Sequence, residues 1–208
     1  MIKADLRTTD TKERIIFEAR QLYTAGGYNH LNLDVIAKTL KITRPALYFH
    51  FPGGKEQLLR EVIKLFGTEI GEQIQGAIKN CPDVVSQLKN IIASVANRPM
   101  IDSREVCLAE IDDLSVETRQ ELYAVYQNVT RIITEIFEKG IERGELRPVN
   151  PSIAVFSFMG LYQQVEQFIR MRHYLPQELT STYPEDIKGF ADNLFDLWFR
   201  GIKETGSA

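Results

Sequence analysis

The stretch that most constrains this chain is Asn32–Phe51, NLDVIAKTLKITRPALYFHF. Leu33, Ile36, Ala37 and Leu40 recur at i, i+3, i+4 and i+7, one apolar face of a helix. Asn32 precedes them as an N-cap. Ile42 follows a tight turn, and Thr43 caps a second helix that opens Arg44-Pro45-Ala46. Proline is tolerated there because the first N–H groups of a helix have no intrahelical partner. Leu47 and Phe51, one turn apart, are spaced to pack back on the first helix. That leaves Arg44, Pro45, Ala46, Tyr48, Phe49 and His50 facing outward, a set with one full charge, flat rings and no carboxylate.

Such a helix suits a DNA groove. In a helix-turn-helix the second helix lies in the major groove with its N-terminal residues at base edges. Arg44 is of the type that grips guanine bidentately, a contact worth roughly 1–3 kcal/mol of discrimination. Tyr48 and His50 suit phosphates, which position a protein without specifying sequence. The expected DNA-facing set is Asn32, Thr43, Arg44, Pro45, Ala46, Tyr48, Phe49, His50 and Lys55. The pattern alone fits a plain helical hairpin equally well, since the two differ only in crossing angle.

The segment LNLDVIAKTLKITRPALYFHFPGGKEQLL closely resembles the DNA-binding part of the tetracycline-repressor (TetR/AcrR) family. Ile36-Ala37, Ile42-Thr43, Leu47-Tyr48, His50-Phe51, Lys55 and Leu58 carry the likeness, which covers the first third of the chain. It implies that these residues form helices two, three and four, the first two within an N-terminal three-helix head. Two departures stand out. Lys41 occupies a turn position where the family usually has glycine, and a left-handed conformation there is strained for any other residue. The Pro52-Gly53-Gly54 linker is one residue longer than the commonest form.

Charge is divided along the chain. The 208 residues carry a net −3. Residues 1–66 hold eleven Lys and Arg against seven Asp and Glu, a net of +4, and the remainder is −7. A basic head on an acidic body confines phosphate attraction to one end. With 44% hydrophobic and 25% charged residues, composition is that of an ordinary globular protein. The longest nearly apolar run, Ile153–Tyr162, is far short of the ~20 residues of a membrane span. No basic-apolar leader opens the chain, and Cys81 and Cys107 have no metal spacing. The expected location is therefore the cytoplasm, with no membrane partner, metal or other cofactor.

Periodicity predicts an all-α chain of about nine helices, with no segment of period-two alternation. Residues 1–9 read as a tail, 10–70 as the DNA-binding head and 71–208 as a ligand-binding and dimerisation body. A first helix runs from Asp10 or Thr11 to Ala25 and stops at Gly26-Gly27. Lys55 opens a long helix to Asn80, whose positive N-terminal end is a natural phosphate site. Further helices follow over Val84–Asn97, Asp102–Leu114, Val116–Arg143, Pro151–His173 and Glu185–Lys203.

The last two helices are apolar around too much of their circumference for one subunit to cover. A homodimer is expected, through Phe158, Tyr162, Phe190, Leu194, Leu197 and Trp198, the four-helix pairing that the family resemblance also implies. Two heads ~34 Å apart would then read a palindromic double-stranded DNA operator. Phe66, Ile92, Cys107, Tyr126, Phe156, Met159 and Gln163 are candidates for a small-molecule cavity, with few polar groups among many apolar ones. The same residues also fit simple core packing. The resemblance implies that a small-molecule effector in such a cavity shifts the connector helix and the head-to-head distance, and that repression is the commoner outcome.

Two other functions are weighed. An enzyme is disfavoured, because His30, His50 and His173 are scattered and no metalloprotease, nucleophile-elbow or phosphate-loop motif is present. A helical ligand-binding or protein-interaction module without DNA binding is disfavoured by Arg44, Tyr48, His50 and Lys55.

Overall fold

The computed structural model describes residues 11–96, 114–172, 174–176, 178 and 186–202. The secondary structure of these residues is helical: α1 Thr11–His30, α2 Leu33–Leu40, α3 Arg44–His50, α4 Gly54–Ile78, α5 Val84–Ala96, α6 Val116–Glu142, α7 Pro151–Met171 and α8 Ile187–Phe199. The helix expected over Asp102–Leu114 lies, but for Leu114, outside the described residues.

The chain divides into two compact units, Met1–Thr68 with Met100–Tyr126, and Glu69–Pro99 with Gln127–Ala208. The expected head boundary at residue 70 needs an amendment. The first unit also takes the start of α6, because Leu114 and Leu122 are buried in its core and Val125 packs against it.

In the first unit, the core gathers Ile15, Ala19 and Tyr23 of α1, Ile36 and Ala37 of α2, Leu47 of α3 and Leu58, Val62 and Phe66 of α4. Leu47 and Phe51 are fully buried, each a gain of roughly 1.5–3 kcal/mol over exposure. They fix which side of α3 faces in. Local chemistry sets the element ends. Asn32 Oδ1 accepts from the N–H groups of Asp34 and Val35 at 2.8 and 3.4 Å, and Thr43 Oγ1 accepts from Ala46 N–H at 3.3 Å.

α1 is broken by non-helical backbone at Gly26 and Gly27, where the sequence placed its end. Gly27 has φ +70° and ψ −162°, a region open in practice only to glycine. At Gly67 the reason for glycine is space. A Cβ there would stand 2.5 Å from Val125 Cγ2, so α4 and α6 approach closely at that point.

The second unit packs α5, α7 and α8 with the later part of α6. Its core includes Leu88, Ile91, Ile133, Phe137, Phe158, Val165 and Phe195. Asn150 caps α7, and Pro151 fills its first turn. The end of α8 is tied to the bend after α6: Arg147 Nε donates to Gly201 O at 2.8 Å.

Candidate nucleic-acid interface

The turn between α2 and α3 sets the angle at which α3 is presented. Ile42 N–H donates to Ala37 O at 3.0 Å and Lys41 N–H to Lys38 O at 3.2 Å. That pair of bonds closes a helix end through a left-handed residue, usually glycine. Here the residue is Lys41, at φ 57° and ψ 40°. The turn keeps the glycine geometry without the glycine.

Beyond the turn, α3 exposes Arg44, Pro45, Tyr48 and Phe49 and half-buries Ala46 and His50. Phe49 is 83% exposed, and its ring meets His50 edge-on at 5.4 Å between centroids. α3 itself carries no acid. Arg44 nevertheless has an anionic neighbour, because its Nε lies 2.9 Å from Asp34 Oδ1 in the first turn of α2. Asp34 was not among the residues singled out from sequence. The signal was an acid in the first turn of α2, and only the folded turn shows which cation it faces.

Two of the nine expected residues have clear local duties. The oxygens of Asn32 and Thr43 serve as helix caps. Lys55, in the first turn of α4, lies with its Nζ 3.9 Å from the centre of the Tyr28 ring, a cation–π contact that holds the ammonium beside the helix N-terminus. Gln57 Oε1 reaches back to accept from Gly53 N–H at 2.8 Å, satisfying a backbone donor just before α4. Lys12 Nζ is 6.0 Å from the centre of the Phe51 ring. The unit thus presents α3 with Arg44 at its start, Lys55 on α4 and Lys12 on α1.

Of the expected cavity residues, Phe66 and Tyr126 lie in the first unit and Ile92, Phe156, Met159 and Gln163 in the second. Phe66 belongs to the first unit's core, 6.1 Å from Tyr23 between ring centroids, and Ile92 to the core of the second. Phe156 is 75% exposed, and Tyr126 is exposed too. Gln163 is exposed on α7, Met159 packs half-buried against the second core, and Cys107 lies outside the described residues. Apolar helical spacing marks the buried side of a helix, and says nothing of whether a void lies beyond it.

The expected pairing residues divide in the same way. Phe158 is fully buried, with Phe137 and Trp198 at 6.1 and 5.6 Å, so it has no surface to offer a second copy. Trp198 is half-buried on the same core and donates from Nε1 to Ser157 Oγ at 3.2 Å. Phe190 stacks on Phe168 at 3.8 Å, and Tyr162 and Leu194 are half-buried. Leu197 stands out at 74% exposed. The apolar surface missed in the sequence is Ile153, 69% exposed, one turn before Phe156 on α7.

Residues 15–62 match the family described as bacterial regulatory proteins, tetR family, and residues 83–171 match the tetracyclin repressor-like C-terminal domain. The HTH-type transcriptional regulator LmrA of Bacillus subtilis (strain 168) is 35% identical over 74 residues, 36% of this chain and 39% of that protein. The HTH-type transcriptional regulator AcrR of Shigella flexneri is 28% identical over 138 residues, 66% of this chain and 64% of that one. The matched stretch thus spans less than two thirds of either relative.

Among solved structures, a bacterial regulatory protein in the tetR family from Rhodococcus RHA1 superposes with a TM-score of 0.70 at 21% identity, covering 95% of this chain and 100% of that one. AibR in complex with isovaleryl coenzyme A and operator DNA gives 0.67 at 20% identity, covering 90% and 97%. At these identities the structures establish the fold. With residues 15–62 and 83–171 both matched by tetR-type domains, the chain belongs to the tetR family of bacterial regulatory proteins.

Proposed function

We propose that this protein is a sequence-specific DNA-binding transcriptional regulator, a homodimer on a palindromic operator, and a repressor released by a small-molecule effector. The observation that carries the reading is the outward face of α3. It is free of acids, begins with Arg44, and is held out by the fully buried Leu47 and Phe51. A short helix so mounted meets the geometric demand of major-groove recognition. Lys55, at the N-terminus of α4, adds a full charge to the positive end of that helix, a phosphate-binding arrangement.

Pairing is supported by the exposed apolar side chains Ile153, Phe156 and Leu197 on the last two helices. A large apolar side chain in water gains roughly 1.5–3 kcal/mol on burial, and a second copy offers the same surface in return. The effector is supported by kinship: the structure of AibR holds isovaleryl coenzyme A as well as operator DNA. The reading contains no catalytic step and places the protein in the cytoplasm. Among the described residues no helix is long and apolar enough to cross a membrane.

The test is a salt-dependent gel shift on the DNA upstream of the protein's own gene, with two variants. Arg44→Ala relaxes base preference, with roughly 1–3 kcal/mol lost on the cognate site. Lys55→Ala weakens all sequences alike and lowers the salt slope by about one. Equal losses from both variants on cognate and scrambled duplexes contradict these roles. Mass spectrometry of the purified protein identifies any effector retained.

A further inference from the structure

We infer that Phe49, seconded by Pro45, is a specificity determinant that reads thymine 5-methyl groups in the major groove; the inference rests on the DNA-binding reading above and deepens it. Leu47 is fully buried, so its side chain defines the inward side of α3. At about 100° per residue, positions two before and two after Leu47 each point within roughly 20° of straight outward. Those positions are Pro45 and Phe49, four apart and therefore neighbours on one crest. Arg44 and Tyr48 fall on one flank and Ala46 and His50 on the other. The part of α3 that reaches deepest into a groove is therefore apolar, and its polar groups flank it.

Chemistry then selects the base. The major groove offers N7 and O6 of guanine, N7 and N6 of adenine, N4 of cytosine, and O4 and the 5-methyl of thymine. All but the methyl require a hydrogen-bonding partner. Neither a phenyl nor a pyrrolidine ring supplies one, and a polar base edge pressed against them loses its water without replacement. The thymine methyl is the one group whose desolvation is favourable. Phe49, at 83% exposure, touches little of its own chain beyond the edge-on His50 ring, so its face is open for such a contact. Arg44 at the start of the same helix suits guanine. The expected half-site therefore contains both a guanine and a thymine.

The experiment uses the full-length chain and a duplex it selects itself from a random pool. Each thymine of that duplex is then replaced in turn by deoxyuridine, which removes only the methyl group. One position per half-site is expected to weaken binding about fourfold, and replacement in both half-sites about fifteenfold, the loss of one buried carbon each. Phe49→Ala is expected to bind the thymine and uracil duplexes equally, with an unchanged melting temperature. A selected duplex indifferent to every replacement overturns this inference alone, as does a thymine preference that survives intact in Phe49→Ala. A chain that retains no duplex at low salt overturns the DNA-binding reading and this inference together.

Discussion

Arg44 Nε lies 2.9 Å from Asp34 Oδ1, and the two side chains are 61% and 59% exposed. A pair so wet is worth at most about 1 kcal/mol to stability. Its consequence is orientation. With Nε engaged by the carboxylate, the two terminal amino groups of the guanidinium remain for another planar acceptor, as the O6 and N7 of guanine are. Asp34→Asn is expected to change folding stability by less than about 1 kcal/mol, since only an exposed pair and a first-turn acid are altered. It is expected to lower the ratio of cognate to scrambled binding roughly fivefold, partly by freeing Arg44 and partly by removing a charge that repels phosphate. Competition gel shifts measure the ratio, and an unchanged ratio would show that Asp34 positions nothing.

Lys41 is the only non-glycine residue at positive φ among the described residues. A left-handed conformation costs an L-residue roughly 1–2 kcal/mol, and glycine returns part of that saving through its greater freedom when unfolded. Lys41→Gly is expected to stabilise the protein by about 0.5–1 kcal/mol, a rise of roughly 1–4 °C in Tm for a chain of this size. Lys41→Ala removes the same charge but keeps the strain, so it is expected to melt with the wild type. A Lys41→Gly variant that melts lower than both contradicts the conformation.

These two residues mark where the sequence was legible. Lys41 was foreseen as a strained turn from the family resemblance, which places glycine there, while apolar spacing and caps locate α2 and α3, and Asn32 and Thr43 cap as expected. Asp34 was not foreseen, because the distance between an acid on α2 and a cation on α3 depends on the angle the turn imposes. The body shows the same limit more sharply. Phe156 and Phe158 sit two residues apart on α7, one 75% exposed and the other fully buried. Residues two apart on a helix point to nearly opposite sides, and a helix with apolar residues on both sides does not announce which side its own subunit covers.

That outcome redirects the pairing experiment. Phe158 is spent on the subunit's own core, so Phe158→Glu would unfold the protein and report nothing about association. Leu197 and Phe156 are exposed, and a charge there costs the isolated fold little. Leu197→Glu, alone and with Phe156→Glu, is expected to leave helicity intact and to yield monomers in sedimentation at micromolar concentration. Operator affinity is expected to fall a hundredfold or more as the second head's effective concentration is lost, while weak, salt-sensitive binding by one head persists. A dimer unaffected by both charges would place the interface elsewhere.

Glu56 of α4 ties the first unit together across 59 to 62 residues of sequence. Its carboxylate accepts from Ser115 N–H at 3.1 Å and from Thr118 Oγ1 at 2.9 Å, and Arg60 donates to the same Thr118 hydroxyl at 3.2 Å. Thr118 is the one fully buried polar residue among those described. Burial pushes the Glu56 carboxyl up, but the bonds from Ser115 and Thr118, aided by Arg60, outweigh it and hold the group below its ordinary value of 4.5. A carboxyl depressed by folding contributes stability that is complete above its unfolded value and drains away as pH falls through the folded one. Glu56→Gln keeps the shape but removes the charge and one acceptor. At pH 7 it is expected to cost about 1–3 kcal/mol, the range for a buried donor left without its charged partner. As pH falls below 4.5 and on through the depressed value of the wild-type carboxyl, which then takes up its own proton, the gap is expected to close. Urea titrations of both proteins at pH 7 and pH 3 measure it. A gap of constant size would assign the role of Glu56 to its shape and leave its charge without one.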